Sequence, residues 1–303
     1  MPDSPSPAPV SVVLLGSHGL MGTALRSVLL ENGGFEVRVL ERGALNLTNL
    51  NSFERILDEL DFQVLINAAA STAVDDCEVQ GELAYLVNAQ APGLLARICA
   101  RRGARMMHFS TDFVFDGRKP TPYTEDDAPN PLSVYGKTKW RGEQLVHAAA
   151  ADHLIVRLSW LFGIGRPAFP EWVISHALQQ DVVRVVGDKT ACPTCNLDAA
   201  QAFVPWLRDR QKPGGLWHYC QPDPCAWSDY AQHVLDCAAA LGLPLRTTRV
   251  TPIPISSLPG LVAPRPPQSA LDTTKFTQAT GHAPPPWKQA MVRHLQQQFA
   301  QGR

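Results

Sequence analysis

Residues 10–22 read VSVVLLGSHGLMG, a short apolar run closed by three glycines, Gly16, Gly19 and Gly22. Val10–Leu15 is rich in β-branched residues and does not alternate with polar ones, the pattern of a strand buried on both faces, as in parallel sheets. Thr23–Glu31 follows with helical character. Strand, glycine turn and helix in this order suit a dinucleotide. Glycine permits the tight turn and the close approach of backbone to a pyrophosphate, and the helix N-terminus offers unpaired N–H groups. An ordinary strand–helix turn is the competing explanation of the glycines alone.

The same rhythm continues outward. Short apolar strands are expected at Phe35–Leu40, Phe62–Ile66, Arg105–Phe109 and Leu154–Leu158, and helices at Leu50–Leu60, Ala84–Arg101 and Ser133–Ala149. Strands and helices alternating in this way predict βαβ units: an α/β fold with a Rossmann-like, doubly wound parallel sheet. Residues 10–165 are expected to form the NAD(P)-binding domain, after a disordered leader over 1–9. Beyond about 165 the rhythm breaks, and the 26 prolines concentrate in 244–286. One further strand at Val182–Val186 and a helix at Trp287–Phe299 are expected there. Thr251–Leu258 and Pro264–Pro267 read as extended loops or turns. Residues 166–303 are expected to form a smaller substrate-binding domain, with part of about 180–220 returning to the cofactor sheet.

Composition narrows the function. The 303 residues are 45% hydrophobic and 18% charged, enough for a core, and the net charge is −1. So balanced a chain has no electrostatic reason to seek nucleic acid or an anionic membrane. No apolar stretch is long enough to span a bilayer. The first nine residues have neither the basic run nor the apolar centre of a signal peptide. Seven scattered cysteines point to reduced thiols and a cytoplasmic location.

Two positions carry candidate chemistry. Tyr135 and Lys139 are four residues apart on an expected helix, hence on one face. Ser110, Thr111 and Asp112 follow a buried strand, at the edge where open α/β sheets bind ligands. A hydroxyl, a phenol and an ammonium together suit carbonyl reduction: Tyr135 as general acid, Lys139 lowering its pKa by charge proximity or holding a ribose, Thr111 orienting the carbonyl. Glu41, 19 residues after Gly22, suits the ribose of NAD, whereas the adjacent Arg42 suits the 2′-phosphate of NADP. The choice between NADH and NADPH stays open at this point.

The chain resembles the extended short-chain dehydrogenase/reductases and, within them, the dTDP-4-dehydrorhamnose reductases. The matching stretches are Gly16–Gly22, NAAASTAVDDCE (67–78), FSTDFVFDG (109–117), YGKTKWRGE (135–143), RLSW (157–160), GDKTACPT (187–194), WSDYA (227–231) and RPPQSAL (265–271), in family order. The resemblance implies reduction of the C4 carbonyl of a dTDP-4-dehydro-L-rhamnose substrate. Gly16, Gly19, Leu20, Met21 and Gly22 would then meet the cofactor phosphates, and Glu41 its ribose. Ala70, Ser71, Thr72 and Phe109 would line the cofactor, Tyr135 and Lys139 would act on both ligands, and Thr111, Asp112 and Trp160 would face the sugar. Asn46-Leu47 stands where the family often carries Asp followed by Phe or Ile near the adenine. Leu197 and Gln297 stand where some members bind Mg²⁺ at a dimer contact through two glutamates. Neither side chain offers a carboxylate, so no Mg²⁺ and no metal-bridged dimer is expected; the chain is expected to be a monomer or homodimer.

Other features are weaker. Arg265 suits a substrate diphosphate or simply a loop contact. Cys192 and Cys195 have metal or redox spacing, but incidental thiols are the expected reading. Two rival functions stand beside reduction: a nucleotide-sugar epimerase or dehydratase of the same fold, and a non-catalytic reductase-like regulatory subunit.

Overall fold

The computed structural model describes residues 8–300. The expected leader therefore lies, for residues 1–7, outside the described residues. Six parallel strands form the central sheet: β1 (Val10–Leu15), β2 (Phe35–Leu40), β3 (Val64–Asn67), β4 (Arg105–Thr111), β5 (Leu154–Leu158) and β6 (Gly215–Tyr219), in the order β6-β5-β4-β3-β1-β2. The order reverses between β1 and β3, and the crevice at such a switch point is where doubly wound sheets bind ligands. Register brings the carboxyl ends into line: Leu15 pairs with Asn67, and Thr111 with Leu158.

Alternation along each strand explains why both faces need covering. Val12, Leu14, Val64, Ile66 and Val156 are buried toward one layer, and Val13, Leu15, Leu65 and Ile155 toward the other. Each such side chain contributes about 1.5–3 kcal/mol when withdrawn from water. The first layer is α1 (Leu20–Asn32) with a later helix; the second includes α2 (Ala91–Arg101) and α3 (Val134–Ala149). Before α2 the backbone passes through a π-helical turn, Leu86–Gln90, where one continuous helix was expected from Ala84.

Beyond β5 the chain is more regular than expected. Helices α4 (Phe169–Gln179), α5 (Asn196–Arg208) and α6 (Trp227–Ala240) precede α7 (Trp287–Ala300), and the first three were not anticipated. Helix α5 packs on α1, and β6 pairs with β5, so residues 196–219 lie with the central sheet. The extended stretch after Arg249 is partly a strand, Val250–Ile253, paired in parallel with Val183–Val186. Helices α4, α6 and α7 surround that pair in a separate core built on Tyr230, Leu235, Trp287 and Met291. Among the described residues no helix is long and apolar enough to cross a membrane.

Candidate functional site

The glycine turn is shaped by contact. Gly16 has φ +78°, and a Cβ there would come within 2.6 Å of the Ala68 and Ala69 backbone. A Cβ on Gly22 would overlap the Gly16 carbonyl. Helix α1 starts at Leu20 with Gly19 as N-cap, without a side-chain cap or an acid in its first turn. Its first N–H groups are thus free for an anion.

A groove follows this edge as two adjoining cavities that share Gly19, Ala69 and Ala70. The first, about 400 Å³, has Gly16 and Ser71 on one side and Glu41, Arg42, Asn46 and Leu47 on the other, with Leu40, Leu45 and Val87 supplying apolar wall. Its glycine floor, apolar walls and Glu41 carboxylate have the chemistry of an adenosine site. Glu41 is held from the turn side: it accepts from the Ser17 hydroxyl at 3.0 Å and faces His18 Nδ1 at 2.9 Å. Arg42 forms no ion pair among the described residues. The Ala70–Thr72 loop is fixed from behind. Asn88, on the π-helical turn, accepts from Ser71 N at 2.8 Å and donates to Ser71 O at 3.0 Å.

The second cavity, about 650 Å³, brings Leu20, Met21, Thr72, Phe109, Thr111, Asp112, Tyr135, Lys139 and Trp160 together. Helix α3 presents Tyr135 and Lys139 from its first turns, started by Ser133, whose hydroxyl accepts from Gly136 N at 3.1 Å. Burial pushes the Tyr135 phenol well above its ordinary value, opposed by a hydrogen bond with Thr111. The expected lowering by Lys139 is not found. That ammonium is turned to the Phe109 carbonyl at 2.6 Å, so burial dominates at the phenol. Lys139 itself is drawn down to about 8 by burial, with Glu143 opposing. Glu143 in turn forms a buried two-point pair with Arg157, at 2.9 and 2.7 Å, and accepts from Ser110.

Asp112 is fully buried and accepts from Thr111 at 3.1 Å, Ser159 at 3.1 Å and Ser269 at 2.5 Å. Trp160 stands at φ +40°, a conformation unusual outside glycine, and packs against Phe169, Trp227 and Tyr230. Such strain persists where the surroundings over-determine it, as at ligand sites.

Arg265 does not line the groove. Its guanidinium is committed to Asp75, at 2.5 and 3.1 Å, and Asp75 also accepts from Val262 N and Ala263 N. Both of its terminal nitrogens reach the one carboxylate, so the contact present here is a loop contact. Leu197 and Gln297 meet across a cavity of about 40 Å³ beside Arg293 and His294. Cys192 and Cys195 part company: the first packs with Val114 and Phe115, the second with Phe162 and Ile174. Among the described residues no three His, Cys, Asp or Glu side chains are placed to hold a metal.

Ser159, Ser269 and Asn88 were not anticipated. They come from separate segments, and no spacing marks them. Asn88 alone had a signal, as a polar residue on the apolar face of an expected helix.

Known proteins share this architecture throughout its length. The family model described as "RmlD substrate binding domain" matches residues 10–299. A dTDP-4-dehydrorhamnose reductase of Aggregatibacter actinomycetemcomitans is 35% identical over 286 residues, 92% of this chain and 96% of that protein. The crystal structure of a dTDP-4-dehydrorhamnose reductase from Clostridium acetobutylicum superposes with a TM-score of 0.88 at 31% identity, over 95% of this chain and 99% of that one. That of the Bacillus anthracis reductase, in complex with NADP, gives 0.87 at 25% identity, over 96% of this chain and 99% of that one. With its glycine cradle and its Thr111, Tyr135 and Lys139 in one cavity, the chain belongs to the dTDP-4-dehydrorhamnose reductase family.

Proposed function

We propose that this chain is an NAD(P)H-dependent oxidoreductase that reduces the C4 carbonyl of dTDP-4-dehydro-L-rhamnose to give dTDP-L-rhamnose. The observation that carries this is the convergence of Thr111, Tyr135 and Lys139 in a cavity continuous with the glycine turn. The bound nicotinamide supplies the hydride. The N–H groups of Leu20 and Met21 hold the diphosphate, and the Glu41–Leu47 wall holds the adenosine end. Tyr135, kept protonated by burial, gives its proton to the C4 oxygen as charge develops there. The Lys139 ammonium, turned to the Phe109 carbonyl in the same cavity, would hold the nicotinamide ribose. Asp112 and Trp160 face the deoxyhexose. Elimination chemistry would want a mobile acid beside Thr111; Asp112 is instead tied by three hydroxyls.

The test is a spectrophotometric assay of reduced-nicotinamide consumption, coupled from dTDP-glucose and run with each cofactor. Consumption that depends on the keto-sugar is expected. Its absence in every active-site-competent preparation would favour the regulatory-subunit alternative. The reaction belongs in the cytoplasm, where thiols such as the seven unpaired ones here stay reduced; a monomer or homodimer suffices for it.

Two outcomes follow from the electrostatics. Lys139 loses its proton above about pH 8, so turnover falls as pH rises through that value; a flat rate from pH 7 to 10 would contradict the role. Glu41→Ala removes the one carboxylate beside Arg42 and His18 at the ribose end. The ratio of kcat/KM for NADPH over NADH should rise by about tenfold, the order expected for one charged contact. An unchanged ratio would put Glu41 out of reach of the ribose.

A further inference from the structure

Behind Asp112 lies a cation that the reaction as described does not use. Lys189 is 1% exposed. Its ammonium donates to the Pro266 carbonyl at 2.6 Å and to the Ser269 hydroxyl at 3.4 Å, and lies over the rings of Phe113 and Trp227. Lys189 and Asp112 form no direct ion pair; Ser269 stands between them, donating to Asp112 Oδ2 at 2.5 Å. The strap carrying Ser269 is fastened to the Lys189 segment by its backbone, Ser269 N to Thr190 O at 3.0 Å and Thr190 N to Pro267 O at 2.8 Å.

The hydroxyls around Asp112 reveal its charge. Thr111, Ser159 and Ser269 each already accept from a nitrogen: Phe113 N at 3.2 Å, Cys192 N at 3.3 Å and Lys189 Nζ at 3.4 Å. A hydroxyl has one proton, and none of these nitrogens can receive it. Each is thus placed to give its proton to Asp112, at 3.1, 3.1 and 2.5 Å. Three hydroxyl donors and an ammonium one hydroxyl away favour the ionised form of this carboxyl. An ionised carboxylate withdrawn from water needs a counter-charge. The other groups acting here do not supply it: the Cys220 thiol and Tyr135 phenol are pushed up and neutral, and Arg265 is balanced by Asp75.

We propose that Lys189 is a positioning residue for the reduction: through Ser269 it holds Asp112 as a carboxylate, which takes the Thr111 proton and so fixes the Thr111 hydroxyl in the cavity it shares with Tyr135. The relay runs Lys189–Ser269–Asp112–Thr111, across three separate stretches of chain. It fixes the Thr111 hydroxyl before the sugar arrives and presents an anionic edge to a sugar hydroxyl. Without the ammonium, Asp112 takes up a proton and becomes a donor, and the Thr111 hydroxyl turns over. Burial already raises the Asp112 carboxyl, and Lys189 is the strongest influence opposing it.

This inference rests on the reduction proposed above, so the experiment compares variants with a wild-type enzyme first shown to consume NADPH. In Lys189→Met, kcat should fall by about tenfold or more. The acid limb of kcat/KM should move up by about one pH unit or more, because a carboxylate deprived of a neighbouring cation binds its proton more tightly. The dissociation constant of NADPH, read by fluorescence, should stay within about twofold, since Lys189 does not line the groove. Lys189 itself is drawn to about 8 and adds to the alkaline limb, so the acid limb is the discriminating one. Should Lys189→Met fail to fold, the double variant Lys189→Met/Asp112→Asn, with neither charge, should recover the lost thermal stability. An unmoved acid limb in a folded Lys189→Met, or a double variant no more stable than an unfolded single one, overturns the proposal. Failure of the wild type to consume NADPH would instead remove the reaction itself.

Discussion

Tyr135→Phe is expected to lower kcat by a factor of about 10²–10⁴, the range that positioned general acids supply, while NADPH affinity stays nearly unchanged. The phenol is the group whose proton is both available and aimed into the catalytic cavity. Burial keeps it protonated, and its hydrogen bond to Thr111 orients it. Phenylalanine keeps the ring and its edge-to-face contact with Phe113, at 5.6 Å between centroids. A loss confined to kcat therefore reports the missing proton donor rather than a missing wall. Single-turnover measurement with saturating cofactor separates the two, and turnover retained in this variant would transfer the acid role to another group.

Arg157→Ala is expected to destabilise the fold by about 3–5 kcal/mol, because it strands the Glu143 carboxylate in the interior. Both side chains are almost inaccessible, and Glu143 has two of its contacts from that one guanidinium. Arg157 also lies over the Phe115 ring and abuts His218, which burial draws down to about 3 and keeps neutral, so His218 does not replace it; Lys139, the other cation near Glu143, is turned to the Phe109 carbonyl. Chemical denaturation should show the loss in full. Arg157→Ala/Glu143→Gln should recover part of it, since the stranded charge is gone; equal stability of the single and double variants would mean that Glu143 finds water or a proton instead.

The part of the fold legible in the sequence is the part whose strands are unbroken apolar runs. Val10–Leu15 is bounded by Pro9 and Gly16, and Leu154–Leu158 by polar residues, so their ends were visible. The second half hid its helices behind prolines. Pro170 sits in the first turn of α4, where a missing N–H costs nothing, and Pro205 lies inside α5 near its end. Proline at these places obscures the helical pattern of both segments. The second half also packs aromatic rings, Trp160, Phe169, Trp227 and Tyr230, whose grouping depends on tertiary contact rather than on spacing.

The candidate site divides the same way. Tyr135, Lys139 and the glycines are local patterns on single elements, visible by spacing, and Tyr135, Lys139 and Gly19 line one cavity. Arg265 left two readings open, a diphosphate or a loop contact, because its partner, Asp75, lies 190 residues away. Lys189, Ser159 and Ser269 surround Asp112 from three segments that no periodicity links. Expecting Lys139 to lower the Tyr135 phenol weighed charge proximity alone; burial, which depends on the folded cavity, is the larger effect.

The central claim is a hydride delivered to C4 with the proton coming from Tyr135, and isotope transfer tests it most directly. With NADPH carrying deuterium at the transferable C4 position of the nicotinamide, the product isolated from dTDP-4-dehydro-L-rhamnose should carry deuterium at the sugar C4, detected by NMR, and Tyr135→Phe should form that product far more slowly. Deuterium absent from C4, or product formed with no consumption of the reduced cofactor, would contradict the account.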